Sequence, residues 1–236
     1  MGRGRHAGYD DQRGAILAGA ARLFAMQGYS ATSMNQVAQA CGLSKATLYH
    51  YYRDKYALLF SIADTHVERL QRIAVEAAEG PAGEARLRTL IARLVEEYAD
   101  AQDEHWVLTS EVRFLEPADR ARIVSREREV VSAFAKAVAA LRPDLDEVAL
   151  AKPLTMLLFG MVNWMFTWLK PDGTLDHTAM APVVADLFLG GLGAVKSPEG
   201  SFSRSREKAG DEGDGRSTLT PTLSRRRERE KDKETP

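Results

Sequence analysis

Across residues 10–70 the apolar positions recur at helical spacing in successive runs, each opened by a capping residue and closed by a glycine or a polar break. Ile16, Ala20, Leu23 and Phe24 form the stripe of a first helix that stops at Gly28. Ser33 opens a second, with Gln36 three residues on completing a capping box, and Val37, Ala38 and Cys41 share its inner face. Gly42 then supplies a tight turn. Ser44 caps the next helix, on which Leu48, Tyr51 and Tyr52 recur at i, i+3 and i+4 and so point inward. At about 100° per residue, Ala46 and His50 fall opposite Leu48, with Thr47 and Tyr49 on the flanks. Asp54 caps a longer helix carrying Leu58, Leu59, Ile62 and Leu70. Residues 33–52 therefore read as a helix-turn-helix on a small three-helix scaffold. Its second helix is about 13 Å long, which suits end-on entry into a major groove and demands packing for stability.

The remainder also reads as helices, and no strand pattern appears, so the expected fold is all-α: a three-helix DNA-binding domain followed by a larger helical domain. Gly80-Pro81 ends the helix begun at Asp54, and Leu87, Leu90, Ile91, Leu94, Val95 and Tyr98 mark the next. Pro117 opens a helix whose polar side, Arg120, Arg122, Arg126, Glu127, Arg128 and Glu129, reads as a solvated face with i,i+4 pairs. Two helices follow, about residues 146–169 and 177–195, joined by the turn Lys170-Pro171-Asp172-Gly173. From Pro153 to Leu169 only Thr155, Asn163 and Thr167 break an apolar run. That run is short for a membrane span, carries a central Asn163 and is bounded by Lys152 and Lys170, so a helix buried on all sides is expected, with no membrane partner.

With these elements in order, residues 10–70 resemble the DNA-binding domain of TetR/AcrR-type transcriptional regulators. The residues that carry the likeness are Phe24, Gly28-Tyr29, Thr32-Ser33-Met34, Val37-Ala38, Gly42-Leu43-Ser44-Lys45, Thr47 through Tyr52, Lys55 and Leu58-Leu59. Ala46 and Arg53 stand where the family often has Gly and Pro. The resemblance implies a homodimer on a palindromic double-stranded operator, released by a small-molecule effector bound in the larger domain. It assigns Ser33, Ser44, Lys45, Thr47, Tyr49 and Lys55 to DNA-backbone positioning, with Arg53 adding a phosphate contact, and places Ala46, His50 and the edge of Tyr49 nearest the bases. It also implies that the last two helices pair with those of a second subunit, where Met156, Gly160, Leu187, Leu189, Gly190, Gly191 and Leu192 fit close helix contact.

Charge supports this division. Residues 1–60 hold seven Lys/Arg against three Asp/Glu, while residues 61–196 hold 15 against 21. Arg3, Arg5 and His6 make residues 1–9 a flexible basic arm; residues 10–70 form the DNA-binding domain, 71–196 the effector-binding and dimerisation domain, and 197–236 a disordered polar tail. The single cysteine, Cys41, forms no internal disulfide and reads as a buried core thiol. Nothing at the N-terminus reads as a signal peptide, so a cytoplasmic protein is expected.

Trp106, Thr109, Arg113, Phe114, Asn163, Trp164, Phe166 and Trp168 combine aromatic walls with polar anchors and read as an effector pocket, the alternative being ordinary core and dimer interface. The segment 163–173 is similar to that of TetR-type regulators of fatty-acid, phenylacetate and sterol catabolism, which implies an acyl-CoA thioester as effector, with Arg113 or Arg120 meeting its phosphates. The expected function is thus a ligand-responsive repressor without cofactor. Two other readings are an architectural DNA-binding protein lacking an effector and an enzyme using the C-terminal cavity. Against the enzyme, the histidines at 6, 50, 66, 105 and 177 lack metal spacing, and no phosphate loop or nucleophile motif stands out.

Overall fold

The computed structural model describes residues 3–169 and 175–196, with side chains from Gly8 onward. Four helices make the N-terminal part: α1 (Arg3–Gln27), α2 (Met34–Ala40), α3 (Lys45–Tyr51) and α4 (Lys55–Glu79). Helix α1 begins at Arg3, so helical backbone runs through residues where a flexible arm was expected. Ile16, Ala20, Phe24, Val37, Leu48, Tyr52, Leu58 and Leu59 are all buried and bind the short helices to the long ones. The expected caps form. Ser33 Oγ accepts from Gln36 N–H at 3.3 Å while Gln36 Oε1 accepts from Ser33 N–H at 2.8 Å. Ser44 Oγ accepts from Thr47 N–H at 3.0 Å, and Asp54 Oδ1 from Ala57 N–H at 2.7 Å. Gly42, at φ +65°, closes α2 with a Schellman pair: Leu43 N–H donates to Ala38 O at 2.9 Å and Gly42 N–H to Gln39 O at 3.1 Å.

The body is built from α5 (Glu84–Asp100), α6 (Gln102–Ser110), a 3₁₀ turn (Val112–Phe114), α7 (Pro117–Leu141), α8 (Pro143–Glu147), α9 (Ala151–Trp168) and α10 (His177–Ala194). No strand occurs among the described residues. Helix α4 runs from the turn motif into the body, where it packs on α5, α6 and α7; α9 lies on α7 and α10 on α5. Leu87, Leu90, Ile91, Leu94, Val95 and Tyr98 are buried as their spacing requires. No helix among the described residues is long and apolar enough to cross a membrane.

Two elements differ from expectation. The single helix expected over residues 146–169 is broken: α8 ends at Glu147, and Ala149 takes φ +59° before α9 starts. Leu150 N–H reaches Leu145 O at 2.8 Å and Ala149 N–H reaches Asp146 O at 2.9 Å, a second Schellman pair with alanine in the position glycine usually fills. The charged side of α7 is not simply solvated. Glu127 is fully buried, and Arg126 crosses to α4, where Nη1 meets Asp64 Oδ1 at 2.6 Å; Arg122 reaches the same carboxylate at 3.5 Å. Tertiary packing against α4 replaced the expected pairs along one helix. The turn at 170–173 and the tail at 197–236 lie outside the described residues.

Candidate functional site

Helix α3 presents the face that its spacing predicts. Leu48 and Tyr52 are buried and Tyr51 half-buried, whereas Lys45, Ala46, Thr47, Tyr49 and His50 are exposed. The Ser44 and Thr47 hydroxyls lie 2.8 Å apart, so the cap also orients the Thr47 side chain. Lys45 Nζ sits 5.8 Å from the centre of the Tyr49 ring. Arg53 is exposed beside the C-terminal end of α3, its Nε 3.0 Å from Asp54 Oδ2. Ser33, at the exposed start of α2, spends its hydroxyl within the capping box.

Lys55 departs from the role expected of it. Its ammonium donates to three carbonyls of the corner between α1 and α2, at 2.7 Å to Tyr29 O, 2.8 Å to Thr32 O and 3.2 Å to Ser30 O. It also lies 4.4 Å from the Tyr29 ring centre. An ammonium has three donors, and all three are engaged. Burial lowers its pKa from the ordinary lysine value. Lys55 therefore organises the corner instead of reaching outward to a phosphate. The same corner is tied to the body: Tyr29 N–H donates to Glu111 Oε2 at 3.2 Å, and the Tyr29 and Phe114 rings lie 5.3 Å apart. Tyr56 adds a second tie, donating to Asp119 Oδ2 at 2.6 Å and accepting from Glu116 N–H at 3.0 Å.

The eight expected effector residues are not gathered into one pocket. Trp164 and Trp168 are 53% and 52% exposed on the outer side of α9. Phe114 belongs to the Tyr29 junction with Arg113 above its ring, and Thr109 Oγ1 donates to Trp106 O at 3.1 Å. Asn163 and Phe166 do face the interior, where they meet residues the sequence reading left out. Tyr98 stacks on His105 with centroids 3.7 Å apart and meets Phe166 edge-on at 5.8 Å; Phe166 in turn stacks on His177 at 4.2 Å. His105 Nδ1 lies 3.3 Å from His66 Nε2, and His66 Nδ1 lies 3.2 Å from Arg69 Nη2 and 3.4 Å from Glu97 Oε1.

Burial holds the His66 and His105 pKa values below the ordinary imidazole value, most strongly at His105, where His66 adds to the effect and Asn163 opposes it. Burial works to raise the Glu97 carboxyl, but hydrogen bonds and charge from His66 and Arg69 outweigh it and leave the group below its ordinary value. Burial also pushes the Tyr98 phenol upward. The Tyr98 hydroxyl and His177 Nε2 are buried without a hydrogen-bond partner among the described residues. These aromatic and imidazole groups lie on five different helices, so no local pattern brings them together.

Two depressions open on the body, the first sharing Arg69 and Glu97 with the His66 network. One of about 240 Å³ between α4 and α5 is lined by Arg69, Arg72 and Arg93 with Glu76 and Glu96; another of about 390 Å³ is walled by Val75, Ala78, Leu90, Ala133 and Ala137. Neither includes any of the eight expected effector residues. Cys41 is half-buried against α1, so close that a Cβ built on Gly19 would lie 2.7 Å from its sulfur. Burial raises its thiol pKa, in keeping with a packing role.

A capped helix-turn-helix with a polar outer face, carried on a long helix that enters a separate helical body, is the build of a DNA-binding regulator. Comparison with known proteins identifies the kind. Residues 16–62 match the family model "Bacterial regulatory proteins, tetR family", and residues 80–192 match "Tetracyclin repressor-like, C-terminal domain". A TetR-family transcriptional regulator from Bordetella parapertussis, known by crystal structure, is 36% identical, with 78% of this chain and 97% of that chain covered and a TM-score of 0.71. AibR, solved in complex with isovaleryl coenzyme A and operator DNA, is 27% identical over 75% of this chain and 97% of its own, with a TM-score of 0.63. The HTH-type transcriptional repressor Rv1474c of Mycobacterium tuberculosis is 40% identical over 63 residues, 27% of this chain; the match spans about a third of that protein, 34% of its length. The chain belongs to the TetR family of transcriptional regulators.

Proposed function

We propose that this regulator is a homodimeric repressor that binds a palindromic operator through α3 and is released by a small apolar effector of the acyl-CoA class. The observation that carries the DNA part is the exposed row Lys45, Ala46, Thr47, Tyr49 and His50 on a helix whose opposite side is buried. Lys45, Thr47, Tyr49 and Arg53 supply phosphate contacts beside the Ser33 and Ser44 caps, and Ala46 and His50 face base edges. The proposed units are the DNA-binding domain at residues 10–70 and the effector and dimer domain at residues 71–196.

Leu157, Trp164 and Trp168 on α9 and Val183 and Leu187 on α10 are each more than half exposed, an apolar face that a second subunit would cover. Support for an acyl-CoA effector comes from AibR, solved with isovaleryl coenzyme A. Inside the body, Asn163, Phe166, Tyr98, His105 and His177 form the polar and aromatic interior against which such a ligand's buried end would rest. The regulator role requires no catalytic group.

The test is a gel-shift titration on DNA selected from random sequence by the full-length protein, repeated with medium-chain, long-chain and aromatic acyl-CoAs. Tyr49→Ala weakens binding to all sequences, and His50→Ala loses on the order of 1–3 kcal/mol of base discrimination. Variants equal to the parent would refute the assignment of α3. An operator complex untouched by every acyl-CoA would refute the effector class alone.

A further inference from the structure

Tyr51, on the last turn of α3, is in contact with two other rings. Tyr9 of α1 stacks on it with centroids 4.8 Å apart and planes 26° apart, and His50 meets it edge-on at 5.7 Å and 81°. The next residue, Tyr52, is held from the same helix. The Arg13 guanidinium lies 5.5 Å from the Tyr52 ring centre, and its Nε donates to the Tyr52 hydroxyl at 3.4 Å. Tyr9 and Arg13 are four residues apart, one helical turn, and continue the face that carries Ile16 and Ala20. One edge of α1 thus grips two consecutive residues at the C-terminal end of α3.

That end needs a grip. Helix α3 has seven residues, too few to persist alone, and the Ser44 cap secures only its start. His50 lies on the exposed face, where solvent alone would leave its ring free to change rotamer; its aromatic contact is Tyr51. A ring free to turn must be ordered each time it meets a base, which weakens the base-specific part of binding and leaves the phosphate part untouched.

We propose that Tyr9 is a positioning residue for base recognition: by stacking on Tyr51 it fixes the surface against which His50 is oriented. This rests on the reading that His50 faces base edges. The role lies in the ring, so Tyr9→Phe keeps it and Tyr9→Ala removes it. Tyr9 is 39% exposed near the start of α1, and thermal melts of each variant establish that the fold is retained.

The experiment measures affinity for the selected operator, for the operator with single base-pair changes, and for unrelated duplex, at several salt concentrations. Parent, Tyr9→Ala, Tyr9→Phe, His50→Ala and the Tyr9→Ala/His50→Ala double variant are compared. Expected is a loss of discrimination of about fivefold in Tyr9→Ala, with unchanged affinity for unrelated duplex and an unchanged salt slope. Tyr9→Phe matches the parent, and Tyr9→Ala adds nothing once His50 is alanine. Full discrimination in a folded Tyr9→Ala, equal loss on operator and unrelated DNA, or a Tyr9→Phe as poor as Tyr9→Ala would each overturn the proposal. If His50→Ala itself discriminates like the parent, the base-facing reading of His50 falls and the proposal falls with it; if only Tyr9→Ala does, that reading stands and the proposal alone fails.

Discussion

Lys55 occupies the first position of α4, where a positive charge faces the positive end of the helix dipole and is disfavoured. Three carbonyls from residues 29, 30 and 32 reverse that balance, and in doing so they fix the corner from which α2 departs. Lys55→Ala leaves those carbonyls without their charged donor. Because the ammonium is only partly buried, the expected loss is about 1–2 kcal/mol of stability, read as a lower urea midpoint with unchanged slope. The dependence of DNA affinity on salt should stay that of the parent, since no phosphate contact is removed. A flattened salt slope with normal stability would return Lys55 to the DNA.

At the scale of elements, the boundary between α8 and α9 shows how a backbone constraint escapes an apolar pattern. Leu150, Ala151 and Leu154 keep apolar positions at helical spacing on either side of Lys152 and Pro153, and nothing between Asp146 and Leu150 is the glycine that usually marks a helix stop. The stop occurs all the same, because Pro153 has no N–H for the Ala149 carbonyl and its ring crowds that carbonyl, so it is accommodated only in the first turn of a new helix, α9. Ala149 bears the consequence in its left-handed conformation. Alanine there costs about 1–2 kcal/mol relative to glycine, part of which glycine forfeits through its freer unfolded chain. Ala149→Gly is therefore expected to stabilise the protein by roughly 0.5 to 1 kcal/mol in urea unfolding. A destabilised variant would show that the strain is absorbed elsewhere. Helix α7 teaches a related point: Arg122, Arg126 and Glu127 have the spacing of a surface helix, but α4 lies across them and takes Arg122 and Arg126 to Asp64.

Over the whole molecule, α9 and α10 divide their apolar residues between two surfaces. Ala151, Leu158, Phe159, Val162, Ala181, Val184, Ala185 and Leu192 enter the chain's own core, whereas Leu157, Trp164, Trp168, Val183 and Leu187 face outward. Leu192, expected from its sequence position to fit a second subunit, is thus already used within its own. Gly160, Gly190, Gly191 and Gly193 have open space at the position of a Cβ, which lets another helix approach closely. Leu187→Glu sets a charge in the middle of the proposed two-fold interface. Sedimentation or light scattering should show the dimer weakened by about 100-fold or more, on the order of 3 kcal/mol, while the helical signal remains. A folded dimer of parental affinity would move the interface away from α10.

The helix-turn-helix was legible in the sequence because every signal that builds it is local. Caps three residues from their targets, a glycine at positive φ and a three-and-four apolar spacing act within one turn of the chain, and they decide that Tyr49 and His50 fall on the side of α3 opposite Leu48. Likewise the apolar stripes of α4 and α5 announced their own buried sides. What tertiary structure alone decided is which residues meet across helices. Tyr9 against Tyr51, Lys55 on the carbonyls of residues 29–32, Glu111 on Tyr29, and the stack of His105, Tyr98, Phe166 and His177 each join positions far apart in the chain. The same limit explains why Trp164 and Trp168, counted as pocket, turn outward: the pattern of α9 shows that it is apolar all round, and only its neighbours select which side is covered within the chain.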